Sequence, residues 1–293
     1  MTAVHPAPAA NPVRRSKLVL RTRAKTSSIL GGLLVGLLAW ELAARVMAAT
    51  NEQADRVLPS LATVARRGFL GLGHYYSGGL GVAAGGDGEI VSAAAALVYN
   101  GLVTTGRVAI GLVLAVAAGT VLGLLVAAVR PVRLGVSGAA ELMRMLPALA
   151  MAPLFTLWFG ATSTASVVFI VFGAAFIVLI AVLNAVANLA PQITEYPRTL
   201  GVSTRSLYVR VILPAILPEL RGPLMFAGLV AWTSVLASEM YGLESGLGWM
   251  LNDTLRFSQI DRMFVVAVVF SALALTTMKV VGALVNRATR WNS

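Results

Sequence analysis

The chain has 293 residues, 58% of them hydrophobic and only 12% charged, against about 25% charged in an ordinary soluble domain. It carries a net charge of +11, no cysteine and two histidines, which excludes disulfides, thiolate chemistry and cysteine–metal sites and leaves His5 and His74 without partners for a metal centre or a catalytic triad. Its apolar residues come in long blocks, not in alternation, and predict an all-α polytopic membrane protein of about six transmembrane helices.

Residues 1–28 form a basic tail, "RRSKLVLRTRAK" after a Pro/Ala-rich start, and are expected to be irregular. The tail can serve as a topology signal or touch anionic lipid. A first transmembrane helix is expected within 29–56, as an uncleaved span at about 29–48 and not a cleaved signal, because "AARVMAATNEQ" prolongs the run. It holds Gly32 and Gly36 at a close-packing spacing. Glu41 and Arg45 are ordered for an i,i+4 pair.

Residues 57–98 read as an extracytoplasmic segment. "LPSLATVARRGFLG" is a short amphipathic surface helix, and the glycine-rich stretch 71–88 is a flexible loop. The core transmembrane domain is placed at 99–290. Its first helix, about 102–129, has Gly111, Ala115, Gly119 and Gly123, a small residue every fourth position. That stripe fits tight packing inside the bundle or contact with a second copy, and the first reading is preferred.

Met145 to Thr194 is a run of 50 residues without a charge. At 1.5 Å per residue it would make a helix of roughly 75 Å, so it must be two spans, at about 144–160 and 165–189, turning at "GATST" (160–164). Pro147 and Pro153 are expected to kink or interrupt the first of them, and Trp158 to lie near its outer interface. Further spans are expected at about 222–241 and 263–285.

Lys and Arg fall unevenly between the loops. Sixteen of the 23 lie in the tail, around 130–144, between Arg198 and Arg221, and from Lys279 onward. The opposite loops hold Arg56, Arg66, Arg67 and Arg256 among a larger number of acids. This asymmetry puts both termini in the cytoplasm of a plasma (inner) membrane protein and accounts for the charge without nucleic acid.

The most informative stretch is "EYPRTLGVSTRSLYVRVILPAILP", residues 195–218. It reads as two short helices, the first capped by Thr194 with Pro197 in its first turn and stopped by Gly201. The second is capped by Ser203 and ended by Pro214. Such a glycine-broken knob has the chemistry of a docking surface, not of an active site.

The stretch resembles the EAA loop of the permeases of bacterial ABC importers. Glu195 falls at the glutamate position, Gly201 at the glycine, and Val211-Ile212-Leu213-Pro214 at the motif's end. The chain departs at Tyr196 and Pro197, where the family usually has alanines. "VLPS" (57–60), "TTGRVAIGLVLAVAAGTVLGLL", "MLPALAMAPLFTLWFG" and "ASEMYGLESGLGWML" follow the family's order, and the likeness covers about 57–290. It is strongest to the branch that imports sulfonates, taurine, nitrate or related small anions and heterocycles.

The resemblance implies a non-enzymatic, substrate-binding-protein-dependent importer subunit. ATP and Mg would bind a partner ATPase, since this chain lacks a GxxxxGK[ST] phosphate loop, and no cofactor would bind here. The implied partners are a cytoplasmic ABC ATPase dimer, an extracytoplasmic solute-binding protein, the lipid bilayer and a second permease copy, with no nucleic acid. The implied coupling residues are Glu195, Tyr196, Pro197, Arg198, Leu200, Gly201, Val202, Ser203, Leu213 and Pro214.

A translocation path or gate is assigned to Glu239 with Ser238, Met240, Trp158, Pro147 and Pro153, because an ionisable group at a span's end is a functional candidate. The plain alternative is a Glu239 that snorkels to water. The small residues Ala227, Gly228 and Ala231 on the same span are candidates for a homodimer interface. An ion-gradient-driven secondary transporter is the rival reading, disfavoured because no acid falls mid-span and no repeat stands out.

Overall fold

The structure is a computed structural model that describes residues 12–50, 57–78 and 88–289, and for residues 12–30 the backbone alone. The chain divides into two compact units, 1–63 and 64–293. The described residues contain helices and turns and no strand. Five helices are long and apolar enough to cross a membrane, and a sharply bent pair makes a sixth when counted as one broken span.

In the first unit, α1 runs from Pro12 to Thr50 and α2 from Leu61 to Thr63. The basic stretch after Pro12 is therefore helical and not irregular; residues 1–11, His5 included, lie outside the described residues. Glu41 Oε1 accepts from Arg45 Nε at 3.0 Å, as the spacing predicts, and Oε2 accepts the Leu61 N–H at 3.0 Å. Trp40 Nε1 donates to the Pro59 carbonyl at 3.1 Å. The chain after the span is thus tied back to the helix end. A Cβ on Gly32 or Gly36 would meet no described atom within 4 Å, so this small-residue pair packs against nothing described.

The second unit is built on α3 (Ile90–Ala128) and α6 (Ser163–Ala187). Gly111, Ala115, Gly119 and Gly123 of α3 all turn inward. A Cβ on Gly119 would stand 2.6 Å from the Ala175 carbonyl oxygen and 2.7 Å from Val178 Cβ. The stripe is the seam of this subunit's own bundle, and only glycine lets the backbones come this close. Val108, Leu112, Ile170, Ala174, Val178 and Val182 fill the same core.

The span expected at 144–160 is a helix, a break and a second helix. α4 (Arg130–Met145) is strongly amphipathic and meets α5 (Ala148–Phe159) at a bend of 100°. Pro147 sits at the break with extended backbone and gives the first carbonyl of α5. Pro153 lies inside α5 without ending it. Twelve residues reach only about 18 Å, too short to cross a hydrocarbon core of about 30 Å alone. Gly160, at φ 76°, and the "GATST" residues turn the chain into α6, where Thr162 accepts the Ala165 N–H.

Two helices complete the bundle: α10 (Arg221–Met240) and α12 (Ile260–Ala288). Ala227 and Ala231 of α10 are fully buried within this unit, and a Cβ on Gly228 would strike Met278 of α12 at 2.5 Å. The expectation that these small residues face a second copy is therefore corrected: α6 and α12 of the same chain occupy that surface.

The described part of the glycine-rich segment, residues 71–78, is also more ordered than expected. Leu72, Tyr75 and Tyr76 are buried among residues of α3, α11 (Leu247–Arg256) and α12. Tyr75 Oη donates to Asp253 at 2.7 Å, and Arg67 Nε to Asp261 at 2.8 Å. Tyrosines supply an apolar face that the glycine count conceals. Residues 79–87 lie outside the described residues.

Candidate functional site

At one end of the second unit, residues 190–218 form a knob. α7 (Pro191–Thr199) starts ahead of Thr194, whose hydroxyl bonds back to the Pro191 carbonyl instead of capping. Pro197 consequently lies inside α7 and not in its first turn. The stop is where the sequence placed it. Gly201 has φ 75°, its N–H donates to the Arg198 carbonyl, and the Val202 N–H donates to the Pro197 carbonyl. These two bonds are the Schellman pair, which requires a left-handed residue at Gly201.

Ser203 then caps α8 (Thr204–Leu207) by accepting the Ser206 N–H. Pro214 does not end this helix. A π turn over Tyr208–Ile212 leads into α9 (Leu213–Ile216), with the Leu213 N–H reaching the Tyr208 carbonyl. The wider turn absorbs a proline that cannot donate to the preceding turn. Leu207, Ile212 and Ile216 are buried and root the knob in the α3–α6–α10 core.

The outward face is equally definite. Glu195, Arg198, Gly201 and Ser203 are exposed, Tyr196 and Leu200 are 66% and 67% exposed, and Pro197, Val202, Leu213 and Pro214 are half-buried. The structure therefore gathers all ten residues of the predicted coupling set on one rooted projection. Its tip presents apolar surface beside charge, as interface cores with polar rims do.

The opposite end holds a buried polar centre. Glu239, the penultimate residue of α10, is fully buried and does not snorkel. Its Oε1 pairs with Arg107 Nη1 at 2.7 Å; Thr104 Oγ1 lies 3.0 and 2.9 Å from its two oxygens; the Gly248 N–H donates to Oε2 at 2.8 Å. Arg107 is itself 5% exposed. Its Nη2 donates to the hydroxyls of Ser163 and Ser245 at 2.9 and 2.8 Å, and Nη1 also to the Ser245 carbonyl at 2.8 Å. Removing one member of such a buried pair costs about 3–5 kcal/mol, because the other charge is stranded.

Asn100, Thr104 and Arg107 recur at i, i+4 and i+7 and so share one face of α3. Gly111, Ala115 and Gly119 prolong that face. One stripe of one helix therefore carries the polar centre and then the close-packing seam.

Of the residues assigned to a path or gate, Glu239 builds this centre, while Ser238 is buried beside it and pairs separately, its Oγ 2.6 Å from Ser166 Oγ. Met240 is half-buried beside them. Pro147, Pro153 and Trp158 are exposed on or before α5 and do not join it. Arg107, Thr104, Asn100, Ser163, Ser245 and Gly248 were not legible as partners. The available signal was a single arginine inside an otherwise uncharged helix, Ile90 to Ala128, where an ionisable residue demands a counter-charge.

Fold and sites together define an integral membrane transport subunit of the ABC-importer type. The chain belongs to the family of binding-protein-dependent transport system inner membrane components, whose model matches residues 119–291.

Among its relatives, a Bacillus subtilis (strain 168) protein carrying the name of an aliphatic sulfonates transport permease, SsuC, is 29% identical over 187 residues, which is 64% of this chain and 68% of that protein. The Escherichia coli (strain K12) taurine transport system permease protein TauC is 29% identical over 152 residues, 52% of this chain and 55% of that one. A chain of the MetNI methionine ABC transporter, solved in an inward-facing conformation, superposes with a TM-score of 0.55 at 22% identity, covering 66% of this chain and 96% of the other. That last likeness establishes the fold.

Proposed function

We propose that this chain is the membrane-spanning subunit of an importer for a small organic anion of the sulfonate class, driven by a separate ATPase that seats on the 195–214 knob. The carrying observation is the knob itself, an exposed two-helix projection with a left-handed Gly201 at its tip and a buried root in the transmembrane core. A surface rooted this way transmits a push or pull from a partner to α3, α6 and α10. ATP binding would then favour one arrangement of the spans through differential binding. The names of the relatives support the sulfonate class. The basic asymmetry supports a cytoplasmic knob and cytoplasmic termini. A homodimer supplies the two knobs that two ATPase copies require.

The test is Gly201→Asp, which adds a side chain and a charge at the tip where the residue has φ 75° and left-handed backbone disfavours a Cβ. The variant is expected to insert normally in the membrane, to lose co-purification with the ATPase, and to abolish ATP-dependent uptake of taurine or an alkanesulfonate into cells or vesicles. Wild-type co-purification with full uptake would refute the docking role. A parent complex that binds its ATPase fully but takes up neither sulfonate would refute the substrate class alone.

A further inference from the structure

The buried centre does more than neutralise two charges. α11 begins at Leu247 with Gly246 as its cap residue, and neither contributes a side-chain acceptor. A helix start leaves N–H groups without intrahelical partners. Here three consecutive ones are met by side chains of other helices. Gly246 N–H donates to Asn100 Oδ1 at 2.7 Å, Leu247 N–H to Thr104 Oγ1 at 2.9 Å, and Gly248 N–H to Glu239 Oε2 at 2.8 Å. The start of α11 is therefore held by α3 and α10 together.

Glycine is required at both ends of this grip. Gly246 has φ 105°, and a Cβ there would run into the Glu239 carboxylate; one on Gly248 would come within 2.7 Å of Glu239 Cβ. "SGLG" is thus a cradle for a carboxylate supplied by the chain itself. Arg107 binds that carboxylate from its other side and also fixes the Ser245 carbonyl and hydroxyl just before the helix.

We propose that Arg107 and Glu239 are positioning residues that latch α11 across the middle of α3 and the end of α10, with Glu239 acting as the anionic cap of α11. The latch goes beyond the transport reading above but rests on it for its consequence: α11 closes its end of the bundle only while α3 and α10 keep the geometry that feeds the cap. Arg107 touches no substrate in this role. It holds Glu239 where three donors converge.

The asymmetry of the site makes the idea testable. A plain ion pair tolerates exchange of its charges. A capping carboxylate does not, because an arginine at 239 would face the Gly248 N–H and the start of α11, whose partial charge is positive.

The chain has no native cysteine, and Met250 in α11 and Ala174 in the α3–α6 core are both fully buried. Met250→Cys and Ala174→Cys therefore report opening of α11 and of the whole core to a polar maleimide. The exposed Ser77→Cys serves as a labelling control on purified permease in proteoliposomes.

Relative to the parent, Arg107→Met and the exchanged pair Arg107→Glu with Glu239→Arg are expected to raise labelling at Met250→Cys by about tenfold or more through local opening, with Ala174→Cys still protected. The neutral pair Arg107→Met with Glu239→Gln, which keeps an acceptor for the Gly248 N–H, is expected to restore protection. Protection restored by the exchanged pair would reduce the site to a charge pair and overturn the latch. Simultaneous exposure of Ala174→Cys would also overturn it, by making the pair a support of the whole fold. No step of this measurement uses ATP, an ATPase or a sulfonate, so failure of the transport reading would leave its outcome unchanged.

Discussion

Gly201 and Gly246 both have positive φ, 75° and 105°, but Gly246 adds ψ 165°, a region essentially reserved for glycine, and the two differ in surroundings. Around Gly201 a Cβ would meet nothing within 4 Å, whereas at Gly246 it would strike the Glu239 carboxylate. Gly201→Ala is then expected to lower stability by about 1–2 kcal/mol, the cost of left-handed backbone with a Cβ. Gly246→Ala is expected to cost about 3 kcal/mol or more, because it also displaces a buried charge from its donors. Thermal midpoints of the purified variants in detergent check this, and equal shifts would show that the Glu239 cradle contributes nothing to stability. The contrast matters for function as well. An alanine at 201 is expected to alter the exposed knob without disturbing the membrane core, and one at 246 to unseat α11.

At the scale of elements, α3 runs from the buried polar centre to the core that roots the knob. Its buried face runs from Asn100 through Arg107 to Gly123, and the same α6 that covers its glycines supplies Ser163 to Arg107. Gly119→Val is expected to cost about 1–3 kcal/mol through overpacking against Ala175 and Val178. Gly106→Val, on the same helix but with open space at its Cβ, is expected to be close to neutral. The fraction of monodisperse protein after heating in detergent measures both. If Gly106→Val is as damaging as Gly119→Val, the seam is not what orders α3 and α6. The stripe was readable from sequence because small residues at four-residue spacing have a direct steric meaning. The polar end of the same face was not, since Asn100, Thr104 and Arg107 find the partners that build the centre between 56 and 146 positions away. No local pattern reports a contact at that separation. The knob was legible down to the Schellman stop at Gly201 for the converse reason: its bonds lie within five residues. Where it misled, at Thr194 and Pro214, the cause was local too. Pro191 offered an earlier start, and a π turn let the chain pass through a proline.

For the molecule as a whole, the distribution of charge and the positions of the two sites predict the same orientation. The knob, α4 and the C-terminal part of α12 carry Arg133, Arg198, Arg205, Arg210, Lys279 and Arg287, and the opposite end carries Glu89, Glu244, Asp253 and Asp261. By the positive-inside tendency the knob is expected to face the cytoplasm. Ser245 is a poor probe of the other face, because its hydroxyl and carbonyl are bound to Arg107. Glu244 and Ser77 are exposed and better placed. Cysteines at Ser77 and Glu244 are therefore expected to react with an impermeant maleimide in intact cells. A cysteine at the exposed Arg205 is expected to react only after permeabilisation. Each variant keeps the buried centre intact, so altered labelling reports sidedness and not unfolding. Labelling of Arg205→Cys from outside would invert the topology. It would also remove the knob from any cytoplasmic ATPase, and the coupling proposal would fall with it.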